Sequence, residues 1–176
     1  MAEDDSQWFE RVVREYGPAL ARLAAVYAPE RADRDDLSQE ILLAIWRALP
    51  RFRGESSERT FVFRVAHNRG ITYRSRRRRH PPPLPEEGGS AREVPDTAPD
   101  PAARLERARR HERLVAAVSR LPGPQRLAVL LHLEGLSHRE IAAVQGITEE
   151  NVAVRLTRAR KALRLLLGQE YREMEP

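Results

Sequence analysis

Cysteine is absent from the 176 residues, which removes disulfides, thiolate metal sites and thiol nucleophiles at once. Lysine is nearly absent: Lys161 is the sole one among 31 basic side chains, and the rest are arginine. Arginine's planar fork matches phosphates and guanine edges, although genomic base composition, visible also in plentiful alanine and proline, accounts for the bias at least as well. No apolar run approaches the length of a membrane span. The start, Met1-Ala2-Glu3-Asp4-Asp5, is acidic and does not read as a signal peptide, so a cytoplasmic protein without membrane insertion is expected. No internal repeat is visible.

What is present is an uneven charge. The net charge of +5 divides into −3 over residues 1–60, +7 over 61–80, −4 over 81–103 and +5 over 104–176. Two basic blocks separated by an acidic one suggest two nucleic-acid contacts on a spacer. The hydrophobic share of 41% suffices for a core, but halves of about 75 residues each would bury only about 60% of their unfolded surface. Two small helical domains assisted by a partner are therefore expected, over 1–80 and 104–170, with a flexible Pro-rich linker over 81–103.

The periodicity is helical throughout. Trp8, Phe9, Val12 and Val13 form one apolar stripe and Leu20, Leu23, Ala24 and Tyr27 another, with Gly17-Pro18 between them, which reads as a helix pair or one interrupted helix. Asp33 is placed to cap the next helix, with acids behind it at the positive end of the dipole. Leu37, Ile41, Ala44, Ile45, Ala48 and Leu49 make its apolar face; Asp36, Gln39, Glu40, Leu43 and Arg47 lie on the other sides. Pro50 ends it. After a loop at Gly54, Ser56 or Ser57 caps a helix with Phe61, Val62, Val65 and Ala66 inward, and Arg64, His67, Asn68 and Arg69 outward. That helix ends in Arg74 and Arg76 to Arg79. Phe61 alone is better read as core, yet aromatics on a basic helix beside a Gly/Ser loop also suit stacking against single-stranded DNA.

Beyond the linker, residues 104–120 predict a charged helix with Leu105, Ala108, Leu114 and Val118 as core contacts. Pro122-Gly123-Pro124 breaks it, and Gln125 to Leu133 forms a short apolar helix. Ser137-His138-Arg139-Glu140 is a capping box. Gly146 makes a turn and Thr148 caps a last helix with Val152, Leu156, Ala159, Leu163 and Leu166 inward, and Arg155, Arg158, Lys161 and Arg164 outward. Glycine turn, two caps and a basic outer face together are the pattern of a helix-turn-helix whose second helix enters the major groove.

Two blocks of the chain resemble bacterial sigma factors of the extracytoplasmic-function (ECF) group within the sigma-70 family. One runs from Asp35-Asp36-Leu37-Ser38-Gln39-Glu40 through Trp46 to Gly54 and on to Thr60-Phe61-Val62-Phe63-Arg64-Val65-Ala66-His67-Asn68, and looks like region two. The other runs from Leu121-Pro122 through Ser137 to Ala142 and on to Val152 through Arg160, and looks like region four. The resemblance implies an all-α, non-enzymatic protein without cofactor or metal that binds core RNA polymerase, at the β′ clamp helices and the β flap, and directs promoter recognition and opening. It assigns Asp36, Gln39, Glu40, Leu43 and Arg47 to core polymerase. It assigns Phe52, Arg53, Ser56, Ser57, Thr60, Phe61, Arg64, His67, Asn68 and Arg76 to the −10 element. Arg139, Glu149, Asn151, Val152, Arg155, Arg158 and Lys161 fall to the −35 element. An anti-sigma factor is a further expected partner, and the free protein is expected to be a monomer. Two positions depart from the family: Ala153 and Val154 stand where a hydroxyl or basic residue is common, so readout there falls to neighbours or to shape, and Phe61 stands where tryptophan is frequent.

Two rivals are weaker. An autonomous dimeric helix-turn-helix regulator explains residues 121–167 but leaves the acidic helix, the Gly54 loop and Arg74 to Arg79 without a role. An enzyme built on His132, Glu134 and His138 as metal ligands lacks a supporting carboxylate cluster, and scattered surface histidines explain those residues better.

Overall fold

The computed structural model describes residues 2–79 and 101–172, all in helices and short connections. The expected linker lies mostly outside these residues, as do the side chains of Leu105 and Ala108. The helices are α1 (Ala2–Tyr27), α2 (Arg31–Ala48), α3 (Glu58–Arg79), α4 (Pro101–Ser119), α5 (Gly123–Leu133), α6 (His138–Gln145) and α7 (Glu149–Arg172), with a 3₁₀ turn at Leu49–Arg51.

Helix α1 is continuous through Gly17-Pro18. Proline removes one backbone bond, and the residue before it is normally driven out of the α region by its Cβ. Gly17 has no Cβ to clash. Burial of Val12, Tyr16, Ala19, Leu20, Leu23 and Ala24 on both sides of the proline holds the helix against the core.

Helix α2 starts one turn earlier than the sequence suggested. Glu30 occupies the N-cap, without a side-chain bond, and Asp33 sits inside the first turn, buried. Its carboxylate is taken by Arg77 of α3 rather than by its own backbone. The predicted apolar face otherwise holds: Leu37, Ile41, Ile45 and Leu49 are fully enclosed against α1 and α3. Pro50 tightens the end into the 3₁₀ turn.

Helix α3 is capped by Ser57, whose Oγ accepts from the Thr60 amide at 3.1 Å. It crosses α1 at Gly70, where a Cβ would stand 2.4 Å from Cδ2 and 2.6 Å from Cε2 of the Tyr27 ring. Glycine is thus required here by close approach, not by backbone angle.

In the second half, Leu114 is exposed and Ala117 takes the core position expected of it, with Val118 partly buried. Ser137 and Glu140 form the reciprocal capping box, and Gly146 at φ 64° supplies the left-handed turn between α6 and α7. Thr148 Oγ1 accepts from the Asn151 amide at 3.3 Å, capping α7. Val152, Leu156 and Ala159 are buried; Leu163 and Leu166 are partly so.

The halves are packed together. Helix α6 lies against α3 and α5 against α1, and one apolar core runs from Val12, Leu23, Ile41 and Phe63 to Leu131, Ile141, Val144 and Val152.

Gly70→Ala should lower stability although alanine is the better helix former by about 1 kcal/mol. Displacing the Tyr27 ring costs about 1–3 kcal/mol as overpacking. Urea unfolding should give a lower midpoint with unchanged slope; a raised midpoint would mean that the ring yields freely.

Candidate nucleic-acid interface and its acidic neighbour

The outer face of α2 presents Asp36, Gln39, Leu43 and Arg47 to solvent, with Leu43 47% and Trp46 39% exposed. Trp46 is steadied by an edge contact with Phe9, centroids 5.1 Å apart. Polar groups flanking two exposed large apolar side chains form the kind of surface that anchors a protein partner. Glu40 behaves differently from the reading above. It turns to α3, accepting from Arg69 Nε at 3.0 Å and from Arg76 Nη2 at 2.7 Å. Between the two helices lies an open groove of about 560 Å³ lined by Asp36, Gln39, Glu40, Leu43, Tyr73, Arg76 and Arg77. Arg76 is therefore paired with α2 while its side chain stays 57% exposed.

The Gly54 loop rests on an aromatic stack. Phe52 packs on Trp8 at 5.5 Å and on Phe61 at 4.7 Å between centroids. Glu58 closes the same corner, accepting from Trp8 Nε1 and from Arg11 at 2.6 Å. Nothing in the spacing pointed to Glu58, since a first-turn glutamate looks like ordinary helix chemistry. Gly54 has φ 72°, and Arg53, Gly54 and Glu55 project from this base. Phe52 is partly buried, Ser56 is partly buried and Ser57 is exposed.

On α3 the expected DNA-facing residues divide. Asn68 is exposed and Arg64 partly so. Thr60, Phe61 and His67 are buried: Phe61 as its reading as core expects, His67 against its reading as outward. Phe61 belongs to the aromatic stack. Thr60 and Ser57 donate to Glu140 Oε1 of α6 at 3.2 and 3.1 Å. His67 Nδ1 is hydrogen-bonded to the Tyr27 hydroxyl, and burial, with a further contribution from the Arg155 guanidinium of α7, pulls its pKa below the usual imidazole value. Helix periodicity placed His67 on a polar side; it carried no information that another helix covers that side.

On α7, Glu149, Asn151, Arg158 and Lys161 are exposed, as is Arg139 on α6. Val152 is fully buried and reads no base in this arrangement. Arg155 is partly buried and donates to Gln145 Oε1. Further along, Thr157, Arg160, Lys161, Arg164 and Leu165 line a shallow basic groove. His132 and His138 lie with ring centroids 6.2 Å apart, while Glu134 turns away to Arg22. Among the described residues no group of three His, Cys, Asp or Glu is arranged to hold a metal, and no helix is long and apolar enough to cross a membrane.

A three-helix unit with a basic aromatic helix, followed by a capped helix-turn-helix, defines the sigma-70 class: residues 12–80 match Sigma-70 region 2 and residues 111–163 match Sigma-70 region 4. The chain is 31% identical over 169 residues to the ECF RNA polymerase sigma-E factor of Escherichia coli K12, covering 90% of this chain and 86% of that one. It is 33% identical over 175 residues to the RNA polymerase sigma factor CnrH of Cupriavidus metallidurans, covering 94% and 90%. Among solved structures, CnrH in complex with the cytosolic domain of CnrY matches with a TM-score of 0.63 at 29% identity over 96% of this chain and 94% of that one. The sigma factor RpoE in complex with the anti-sigma factor NepR from Bartonella quintana matches with a TM-score of 0.70 at 22% identity over 91% and 96%. The protein belongs to the ECF sigma factors, a group of promoter-recognition subunits that are regulatory and not catalytic.

The depressed pKa of His67 has a definite sign. Unfolded, the imidazole takes a proton near pH 6.5; folded, it does so only at lower pH. Between those values the unfolded chain binds more protons, so stability is complete above about pH 6.5 and falls as pH drops through the folded pKa. Urea midpoints should decline from pH 7 to pH 6 in the wild type and decline less in His67→Gln; equal slopes would mean the imidazole titrates normally.

Proposed function

We propose that the two regions divide the work of promoter recognition as their surfaces suggest. Residues 1–80 form the unit that docks on core polymerase and handles the −10 element, residues 104–170 the unit that reads the −35 element, and residues 81–103 the tether. The exposed strip of Asp36, Gln39, Leu43, Trp46 and Arg47 on α2 carries this reading, because it alone pairs a protein-binding character with a position beside the basic helix. It seats on the β′ clamp helices, while region four seats on the β flap. Glu40 supports the strip from behind by holding Arg69 and Arg76 in place.

The mechanism needs no bond chemistry. Extruding a −10 base costs a few kcal/mol. The Gly54 loop, with Arg53 and Ser56 above the Trp8–Phe52–Phe61 base, supplies a pocket wall, and Arg64 and Asn68 supply contacts to the displaced strand. Arg158, Lys161 and Arg139 supply phosphate and groove contacts at the −35 element. Two modest contacts on one tether gain from effective concentration. CnrH and RpoE have been captured with CnrY and with the anti-sigma factor NepR, and an anti-sigma partner for this chain fits the same α2 strip, where Leu43 and Trp46 stand uncovered.

Immobilised core polymerase should capture the wild type at one to one, and Asp36→Arg combined with Leu43→Arg should weaken capture by at least about tenfold, as loss of an anchor residue does. Both side chains are exposed, so thermal melting should not change. Failure of the wild type to bind core enzyme, alongside tight specific binding to duplex DNA by the protein alone, would replace this reading with a dimeric regulator.

A further inference from the structure

Most polar side chains of α3 are engaged by the protein itself. Arg69 and Arg76 hold Glu40, and Arg77 holds Asp33. The Thr72 hydroxyl donates to the Asn68 carbonyl at 2.9 Å, and the Ser75 hydroxyl accepts from Arg79 at 3.0 Å. His67 is bonded to Tyr27. Between the first turn and the terminal arginines, the outer face keeps three side chains without a polar partner among the described residues: Arg64, Asn68 and Ile71. Spaced at i, i+4 and i+7, they form one stripe.

Ile71 is the unusual member. It is 49% exposed, the one large apolar side chain so exposed on α3 among the described residues. It takes no part in the apolar core, whereas Val65 and Tyr73 of the same helix do. Nor does it extend the strip on α2. Arg69 and Arg76, which reach across to Glu40 of α2, lie roughly 160° and 140° around the helix from it. Its exposed neighbours on α3 are Asn68, Thr72 and arginines. The branched Cβ holds an isoleucine in one rotamer on a helix, so the side chain is a rigid apolar knob. Such a knob gains nothing from a phosphate. In the major groove the apolar feature that it can meet is the C5-methyl group of thymine.

We propose that Ile71 is a specificity residue of promoter recognition, reading the methyl group of a thymine in the paired DNA next to the opened −10 segment. The proposal rests on α3 being the −10 helix. Phe61 lies beside the Gly54 loop, where the extruded base is taken. Ile71 is ten positions further on, about 15 Å along the helix axis. That distance spans about four base steps at about 3.4 Å each. The thymine therefore falls within about four base pairs of the extruded base, towards the terminal arginines, where the strands are still joined.

Replacing a thymine by deoxyuridine removes that methyl group and nothing else. Holoenzyme assembled from this protein and bacterial core polymerase would first select promoters from a random duplex library, with the opened segment mapped by permanganate. Deoxyuridine would then replace each thymine in turn across the flanking pairs. Wild-type holoenzyme should bind about fourfold more weakly at one of these positions, the worth of one buried methyl group, and be indifferent at the others. Ile71→Ala should weaken binding to the parent promoter about fourfold and lose nothing more when that thymine becomes deoxyuridine. Because Ile71 is outside the core, thermal melting should not change. Selected promoters without a preferred thymine there, a wild type indifferent to every replacement, or an Ile71→Ala variant as sensitive as the wild type each overturn the methyl contact. Asn68→Ala separates this from the reading beneath it. If it weakens binding while the methyl result is negative, α3 remains the −10 helix and the role of Ile71 alone is lost. If neither variant weakens binding, the assignment of α3 to DNA falls and takes the methyl contact with it.

Discussion

Helix α3 must serve as the core of a bundle and carry six arginines within its last eleven residues, and the structure turns on how those demands are reconciled. Its first half buries Phe61, Val62, Phe63 and Ala66, so the helix cannot move outward to free its charges. Carboxylates come to it instead. Glu40 takes Arg69 and Arg76, and Asp33 takes Arg77. The part-exposed Glu40 pairs individually contribute about 0–1 kcal/mol, so their worth lies in orientation. They fix the angle at which α2 lies on α3, and with it the direction of the exposed Asp36–Leu43–Arg47 strip.

This arrangement explains why the acidic character of α2 is not all available for binding. Asp33 and Glu40 turn inward to arginines of α3, and the exposed Glu30 lies near Arg77, whereas Asp36 and Gln39 face solvent. A stretch that reads as one acidic patch is two faces of a helix with different duties. The same economy holds at the loop, where Glu58 gathers Trp8, Arg11 and Tyr16 and so anchors the base on which Phe52 stacks.

Elements set by local rules were legible. The apolar face of α2, the Ser137–Glu140 capping box, the Gly146 turn and the inward row of α7 all follow from spacing and capping chemistry. What failed was decided between helices. Asp33 reads as a cap until Arg77, forty-four positions away, claims it. Leu114 reads as core because its spacing is right, but the small Ala117 is what fits against α7. His67 reads as outward because nothing in its own helix says that α6 and α7 lie above it. Gly70 has no local reason to be glycine at all; its reason is the Tyr27 ring. The family resemblance located the functional blocks but likewise carried no information on their mutual packing.

That packing also bears on how tightly the halves are held. The apolar core is continuous across the seam between them, from Leu23 and Phe63 to Leu131 and Ile141, so parting the halves would expose buried apolar surface as well as break polar links. The seam's polar links are a shared carboxylate, one surface ion pair and one arginine-to-carbonyl bond, with Arg74 beside Arg126 opposing them. A partner need only bind the parted state about 10⁴-fold better to shift a population from 1:99 to 99:1, about 5.5 kcal/mol of differential affinity.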